Sequence, residues 1–304
     1  MHDNHDSLAG RHGSAGAETG AAQRRWAWRL LAAVATSLLL SCATTHNYLD
    51  PAGPRYVGGY GENASPEARE SPDDTFRVVT FNIKFAREID RALALLQTSD
   101  ALRDPDILLL QEMDAVGVER IARELRMNFA YFPSTVHPMS HRDFGTAVLS
   151  PWPLDEARKI LRPHAAFGTR ARRAATSAVV HRGSLRIRAV AVHLSAPGAV
   201  SDDERQEQVR IIMHEAAKTA DAVVVGGDFN GRAAGRWFRD RKFVWLTHGL
   251  PGTSRGLGRW WSFDHVFVRG LTAAGDGLAA GVVDPAGASD HRAVWVRLAR
   301  QNVR

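Results

Sequence analysis

A chain of 304 residues that is 44% hydrophobic and 24% charged has apolar material for one large core and none of the bias of a disordered, fibrous or disulfide-rich protein. The formal net charge is +6 and 35 of the 39 basic residues are arginine, but they stand singly between acids, so no run or helical stripe marks a nucleic-acid footprint. The single cysteine, Cys42, excludes an internal disulfide and a cysteine-based metal cluster.

Near the N-terminus, Arg24, Arg25 and Arg29 lead into an apolar stretch from Leu30 to Leu40 that stops at Ser41 and Cys42. A basic flank before a short apolar run reads as a secretory signal. As a helix the run spans about 16 Å, about half a bilayer core, which is short for a permanent transmembrane helix. The residues Leu39-Leu40-Ser41-Cys42 resemble the bacterial lipobox, in which the cysteine becomes the acylated first residue of the mature chain. That resemblance implies a signal peptide over 1–41, lipidation at Cys42, and an extracytoplasmic protein held on the membrane of a bacterial cell envelope. The competing reading is a buried thiol that follows a signal-like segment. The Arg24-Arg25 pair leaves the export route open.

Residues 43–75 carry Pro, Gly, Asn and Asp throughout without a sustained period, so 42–75 reads as an acylated cysteine followed by a flexible tether. Such a segment has a reach of about 30 Å, enough to hold a domain clear of a membrane. One globular domain then occupies 76–304. Short β-branched or apolar runs predict strands over 76–81, 106–110, 145–149, 174–180, 185–192, 222–227, 264–268 and 293–298. Between them, apolar residues at helical spacing predict three amphipathic helices: Ile89, Ala92, Leu93 and Leu96; Val118, Ile121, Ala122 and Leu125; Val209, Ile212, Met213 and Ala216. Runs such as Ile107–Leu110 lack polar alternation and call for a sheet covered on both faces.

Polar side chains with chemistry cluster at the ends of these strands. Asn82 follows FRVVTF, Glu112 follows DILLLQ, His193 ends RIRAVAV, Asp228 and Asn230 follow AVVVGG, Asp264 opens DHVFV, and Asp290 and His291 precede RAVWVRL. Singly each has a bland reading: Asp-Phe-Asn after a strand is more often a turn, a lone Glu is usually solvated, and a lone His is more often structural. Together, the segments TFNIK (80–84), LLQEMD (109–114), FGTAVLS (144–150), AVHLSAPG (191–198), VVVGGDFNG (223–231), FDHVFV (263–268) and SDHRAVWV (289–296) resemble the endonuclease/exonuclease/phosphatase superfamily over about 76–299.

The resemblance implies an α/β fold, a four-layered α/β/β/α sandwich of two mixed sheets flanked by helices, with a metal site at one edge. It implies Mg²⁺ or Mn²⁺ held by Glu112 with Asn82 beside it and Asp290 as a further ligand. Asp228 would orient or activate water, Asn230 would touch phosphate or the water, and His291, held by Asp264, would be general acid/base or contact phosphate alongside His193. Oxygen ligands suit those ions, and a phosphodiester needs charge neutralisation and an in-line water. Which group takes the proton stays open.

Trp260-Trp261-Ser262-Phe263 departs from residues many family members carry before the matching aspartate, so the inositol-phosphatase branch fits less well, while His193 in HLSAP leans to the secreted deoxyribonuclease and sphingomyelinase branches. Trp260 and Trp261, with Arg255 and Arg259, form either a substrate-side loop or packing over the sheet edge. Arg170, Arg172 and Arg173 form another basic cluster, read as a solvated strand start with a phosphate-facing role as the alternative, and His137 and His141 are unassigned. The expected function is a metal-dependent phosphodiesterase on nucleic acid, working as a monomer. The alternatives are a phosphodiesterase of phospholipid or sphingolipid headgroups and a lipoprotein that uses the fold as a binding module.

Overall fold

A strand with the sequence of Ile107–Leu110 can be buried only between two apolar layers, and the computed structural model places it there. The structure describes residues 45–61, 75–217, 220–239, 241–275 and 278–300, so the signal stretch, the lipobox and Cys42 lie outside the described residues. In chain order the strands are β1 (Tyr56–Gly59), β2 (Thr75–Asn82), β3 (Ile107–Met113), β4 (Asn128–Val136), β5 (Asp143–Ser150), β6 (Leu154–Leu161), β7 (Ala174–Arg182), β8 (Leu185–His193), β9 (Ala222–Asp228), β10 (Val244–Trp245), β11 (Ser254–Gly256), β12 (Arg259–Trp261), β13 (Asp264–Arg269), β14 (Leu271–Ala273), β15 (Ala280–Val283) and β16 (Ala293–Arg300). The helices are α1 (Ile89–Thr98), α2 (Ala115–Glu124), α3 (Asp202–Ala216) and α4 (Ala234–Arg239).

Two mixed sheets result. One runs β1-β4-β5-β3-β2-β16-β14 with β15 also on β16, and the other runs β10-β13-β9-β8-β7-β6. Among the described strands only β2 with β3 and β8 with β9 pair in parallel, each across a helical crossover. The inner faces meet in a core that includes Val78, Ile107, Leu109, Ala189, Val224 and Val266. The outer face of the first sheet buries Leu93, Leu96, Val118 and Ile121 of α1 and α2. The outer face of the second buries Val209 and Ile212 of α3 and Phe238 of α4. This is the four-layered sandwich. The three predicted helical stripes bury as their spacing requires, except at two helix ends, where Ile89 at the start of α1 and Leu125 at the C-cap of α2 stay half-buried. Helix α3 is started by a capping box, Ser201 accepting from the Glu204 N–H and Glu204 from the Ser201 N–H, an arrangement that contributes about 1 kcal/mol.

Every strand expected from sequence is present, and others are added. Strand β6 (LDEARKIL) is a charged edge strand, and the charges that hide its apolar pattern also discourage edge pairing. Strand β4 carries an irregularity just after Pro133, its register with β5 shifting between Pro133 and Thr135.

The reading of 42–75 as tether needs correction over 45–61. There β1 pairs with β4 through Tyr56↔Tyr131 to Gly59↔Asn128, Tyr48 and Tyr56 donate their hydroxyls to Asp143, and Tyr48 N–H donates to Ser134. Pro and Gly composition masks an edge strand whose tyrosines supply its contacts.

One backbone position beside the site has no room for a side chain. Gly227 has φ +146°, and a Cβ there would lie 1.9 Å from the carbonyl oxygen of Val192. Gly168, by contrast, has φ +78° in open space. Gly227→Ala should therefore cost about 3 kcal/mol, and Gly168→Ala only about 1, in denaturant unfolding. Equal small losses would show that the close approach of β9 to β8 is not as described.

Candidate active site

Side chains alternate across a strand, so the residues sharing the inner-face parity of the core can be counted to the strand end. Val78 and Thr80 lead to Asn82, Ala189 and Ala191 to His193, and Ala222, Val224 and Gly226 to Asp228, while Val268 and Val266 lead back to Asp264. Register aligns them further: Asp228 lies opposite His193 on one side and opposite Asp264 on the other. Glu112 has the wrong parity, since Leu108 and Leu110 face the helices. A bulge between Gln111 and Met113, with Glu112 at φ +59°, turns it toward the others.

Asn82 joins the two sheets here. Its Nδ2 donates to Asp228 Oδ2 at 3.1 Å and to Glu112 Oε1 at 3.3 Å, and Glu112 Oε2 accepts the Phe85 N–H at 3.2 Å. Asn230, at φ +50°, donates its N–H to Asp228 Oδ1 at 2.7 Å and its Nδ2 to the Leu194 carbonyl at 2.9 Å. Its side chain thus braces the loop after β8.

Two imidazoles flank Asp228 in opposite electrostatic settings. His291 Nδ1 lies 2.8 Å from Asp264 Oδ2, and its Nε2 faces Ser254 Oγ at 3.1 Å and Asp228 Oδ2 at 3.8 Å. Burial opposes its charge, but Asp264 and Asp228 outweigh that and raise its pKa to about 10. His193 Nε2 lies 3.5 Å from Asp228 Oδ2, and burial, followed by the charges of Arg173, Arg162 and His291, holds its pKa well below the usual value. One ring is therefore cationic and the other neutral at the same pH, a division of labour set by surroundings. Asp228 is pushed upward, chiefly by burial, with Asp264 and Glu112 adding to it against His291 and the Asn230 N–H.

Oxygen donors here suit a hard divalent cation. Asn82 Oδ1 is buried without a hydrogen-bond partner, beside the carboxylates of Glu112 and Asp228 that its amide nitrogen meets. That orphaned acceptor is what a cation would satisfy. The buried group Asp228, Asp264 and His291 also offers ligand atoms within 4.8 Å of one another. It fits a cation less well, because a protonated His291 has no free lone pair. Asp290 sits at the mouth, paired with Lys84 Nζ at 2.9 Å, while Ser289 Oγ donates to the Asn82 carbonyl.

Sequence reasoning missed several members. Thr253 Oγ1 accepts the N–H of Asp264 at 3.0 Å, and Ser254 faces His291. Arg173 is half-buried, its guanidinium 4.7 Å from the Phe144 ring centre and close enough to Glu112 and Asp228 to feel their charge, which favours the phosphate-facing alternative for it over a solvated strand start, whereas Arg170 and Arg172 are exposed. Its place just ahead of β7, which pairs with β8, was the available signal. His137 packs its ring 4.5 Å from Phe85 and 5.7 Å from Phe144. Trp260 and Trp261 are half-buried, covered by Arg292 at 4.0 Å and Arg259 at 3.6 Å.

The Endonuclease/Exonuclease/phosphatase family pattern matches residues 79–291, and the chain belongs to that family. Its fold is a phosphoesterase fold, and the family's members hydrolyse phosphoester bonds. No curated protein matches the chain by sequence. Among solved structures it is similar to an endonuclease/exonuclease/phosphatase of Bacteroides vulgatus, with 16% identity, TM-score 0.60, and 75% of this chain and 99% of that one covered. A Beutenbergia cavernae protein of the same description shares 20% identity at TM-score 0.58, covering 75% of this chain and 72% of its own. Danio rerio TDP2, solved with a single-strand DNA product, shares 16% at TM-score 0.58, covering 74% and 99%.

The ion pair of His291 makes a pH-dependent contribution to stability with a definite sign. Its folded pKa lies above the unfolded one, so the contribution is complete below about pH 6.5 and disappears as pH rises through about 10. Without added metal, Asp264→Asn should cost about 3 kcal/mol at pH 6 and progressively less toward pH 10, read by denaturant unfolding across pH. A cost that does not change with pH would contradict a protonated His291.

Proposed function

We propose that the chain is a divalent-metal-dependent phosphodiesterase, and the observation that carries this is two imidazoles, His193 and His291, placed 3.5 and 3.8 Å from one buried carboxylate, Asp228, beside the unpartnered Asn82 Oδ1. The cationic His291 can donate to a phosphate oxygen or to the departing oxygen but cannot act as base. Asp228, buried and raised in pKa, is the group able to orient a water and accept its proton. The neutral His193 and the half-buried Arg173 supply donors and positive charge to the non-bridging oxygens. Asn82 and Glu112 would hold the metal, with Asp290 available at the mouth once released from Lys84. Bound there, Mg²⁺ or Mn²⁺ would supply Lewis-acid neutralisation of phosphate charge. Asn230 fixes Asp228 by its backbone N–H, a positioning role alongside the phosphate contact expected of it.

Nucleic acid as substrate is supported by the DNA product bound to the similar Danio rerio TDP2. A lipid headgroup is the second reading, favoured by where the N-terminal arm meets the domain. Envelope localisation through lipidated Cys42, and action as a monomer, belong to the same proposal.

Hydrolysis of bis-p-nitrophenyl phosphate should require Mg²⁺ or Mn²⁺, stop with chelator, and fall about a thousandfold in kcat for His291→Ala. Turnover unaffected by chelator or by the substitution would overturn this reading, and inertness toward phosphodiesters in a metal-loaded protein would favour a binding module.

A further inference from the structure

The N-terminal arm joins the domain at its catalytic end. Val136 donates its N–H to His46 and Tyr48 to Ser134, so this part of the arm runs along the last residues of β4. Just before it, Thr45 donates to the Thr169 carbonyl at 3.3 Å, in the loop between β6 and β7. Asn47 fastens the same loop, donating to the Arg170 carbonyl at 3.0 Å and accepting the Arg172 N–H at 2.7 Å. That loop leads into Arg173 and the start of β7, at the end of the sheet where His193 terminates β8. Cys42 precedes Thr45 by only three residues, at most about 11 Å of extended chain. An arm entering at the other end of β4 would leave the site facing away from whatever holds the N-terminus. This one brings the two together.

The same end carries the three most exposed large apolar side chains among the described residues. Leu257 is 96% exposed at the tip of the β11–β12 hairpin, Phe167 88% in the β6–β7 loop, and Met139 78% in the β4–β5 loop. The hairpin is tied to the site by Ser254 at His291, and the β4–β5 loop by the His137 ring beside Phe144, itself 5.7 Å from His193. The apolar tips therefore stand on both sides of the mouth. Exposed cations lie among them: Arg170, Arg172, Arg255 and Arg259. A single exposed hydrophobe is ordinary, but large apolar tips set among guanidinium groups around one cleft match a lipid interface, with apolar groups at the acyl boundary and cations at anionic headgroups. A duplex backbone would pair with the arginines and leave Leu257, Phe167 and Met139 in water.

We propose that the catalytic end docks on the anionic bilayer that holds the N-terminus, so that the mouth of the site faces the headgroup layer. The catalytic role of that end rests on the phosphodiesterase reading above, and the anchoring on acylation of Cys42. The docking face rests on neither.

The test uses the full chain carrying Cys42→Ser and one new cysteine, Phe167→Cys, Leu257→Cys or, as reference, Leu278→Cys. Leu278 is 75% exposed in the loop between β14 and β15, toward the far end of β16. Each cysteine is labelled with an environment-sensitive fluorophore and mixed with vesicles of phosphatidylglycerol and phosphatidylcholine. Labels at 167 and 257 should shift to the blue and be quenched by spin-labelled lipid, while the label at 278 should not respond. In the same Cys42→Ser chain, the combined variant Met139→Ser, Phe167→Ser and Leu257→Ser should float with vesicles about tenfold less and still hydrolyse bis-p-nitrophenyl phosphate as before. Silence at 167 and 257, a response at 278 alone, or a response to duplex DNA in place of vesicles would overturn docking, the last assigning the face to nucleic acid. Turnover of the soluble diester with silent labels would remove this inference and leave the phosphodiesterase reading standing. Responsive labels on a protein inert toward every diester would do the reverse.

Discussion

The hydrogen bond from Asn82 to Asp228 is the interaction on which the site depends, because it is made between the two sheets. Asn82 ends β2 of one sheet and Asp228 ends β9 of the other, so their 3.1 Å contact exists only while the sandwich is closed at this end. The apolar inner faces supply the force that closes it. The polar end is what that closure makes possible: a carboxylate held out of water, raised in pKa by burial, and still satisfied by Asn82 and the Asn230 N–H. A buried carboxylate is costly, and such sites persist where chemistry requires them.

Much of this arrangement was legible in the sequence because strand periodicity is rigid. Once FRVVTF and AVVVGG are read as strands facing one core, parity alone carries Asn82 and Asp228 to the same end and face, and Asp264 follows from DHVFV. Glu112 is the instructive exception. Parity directs it to the helical layer, and only a bulge with a left-handed backbone at that residue recovers it. The family pattern located Glu112 where geometry read from sequence alone would have misplaced it.

What escaped the sequence shares a physical cause. Arg173 could be left only as one of two readings, because the cross-strand pairing of β7 with β8 is what brings it beside Glu112 and Asp228. Thr253 and Ser254 belong to a short hairpin held against His291, and residues 45–61 form an edge strand from a Gly- and Pro-rich stretch. Edges and loops obtain their structure from what they lie against. Their own composition therefore says little, and in this chain those same segments set the surroundings of the candidate site.

The proposal rests on Asn82 and Glu112 holding the metal, with Asp290 at the mouth, while Asp264 and His291 form an ion pair. Mn²⁺ binding, followed by electron paramagnetic resonance for the wild type, Glu112→Gln and His291→Ala, tests it most directly. The account predicts affinity weakened by about tenfold or more in Glu112→Gln and nearly unchanged in His291→Ala. Loss of Mn²⁺ in His291→Ala with retention in Glu112→Gln would contradict it and place the cation on the Asp228, Asp264 and His291 group.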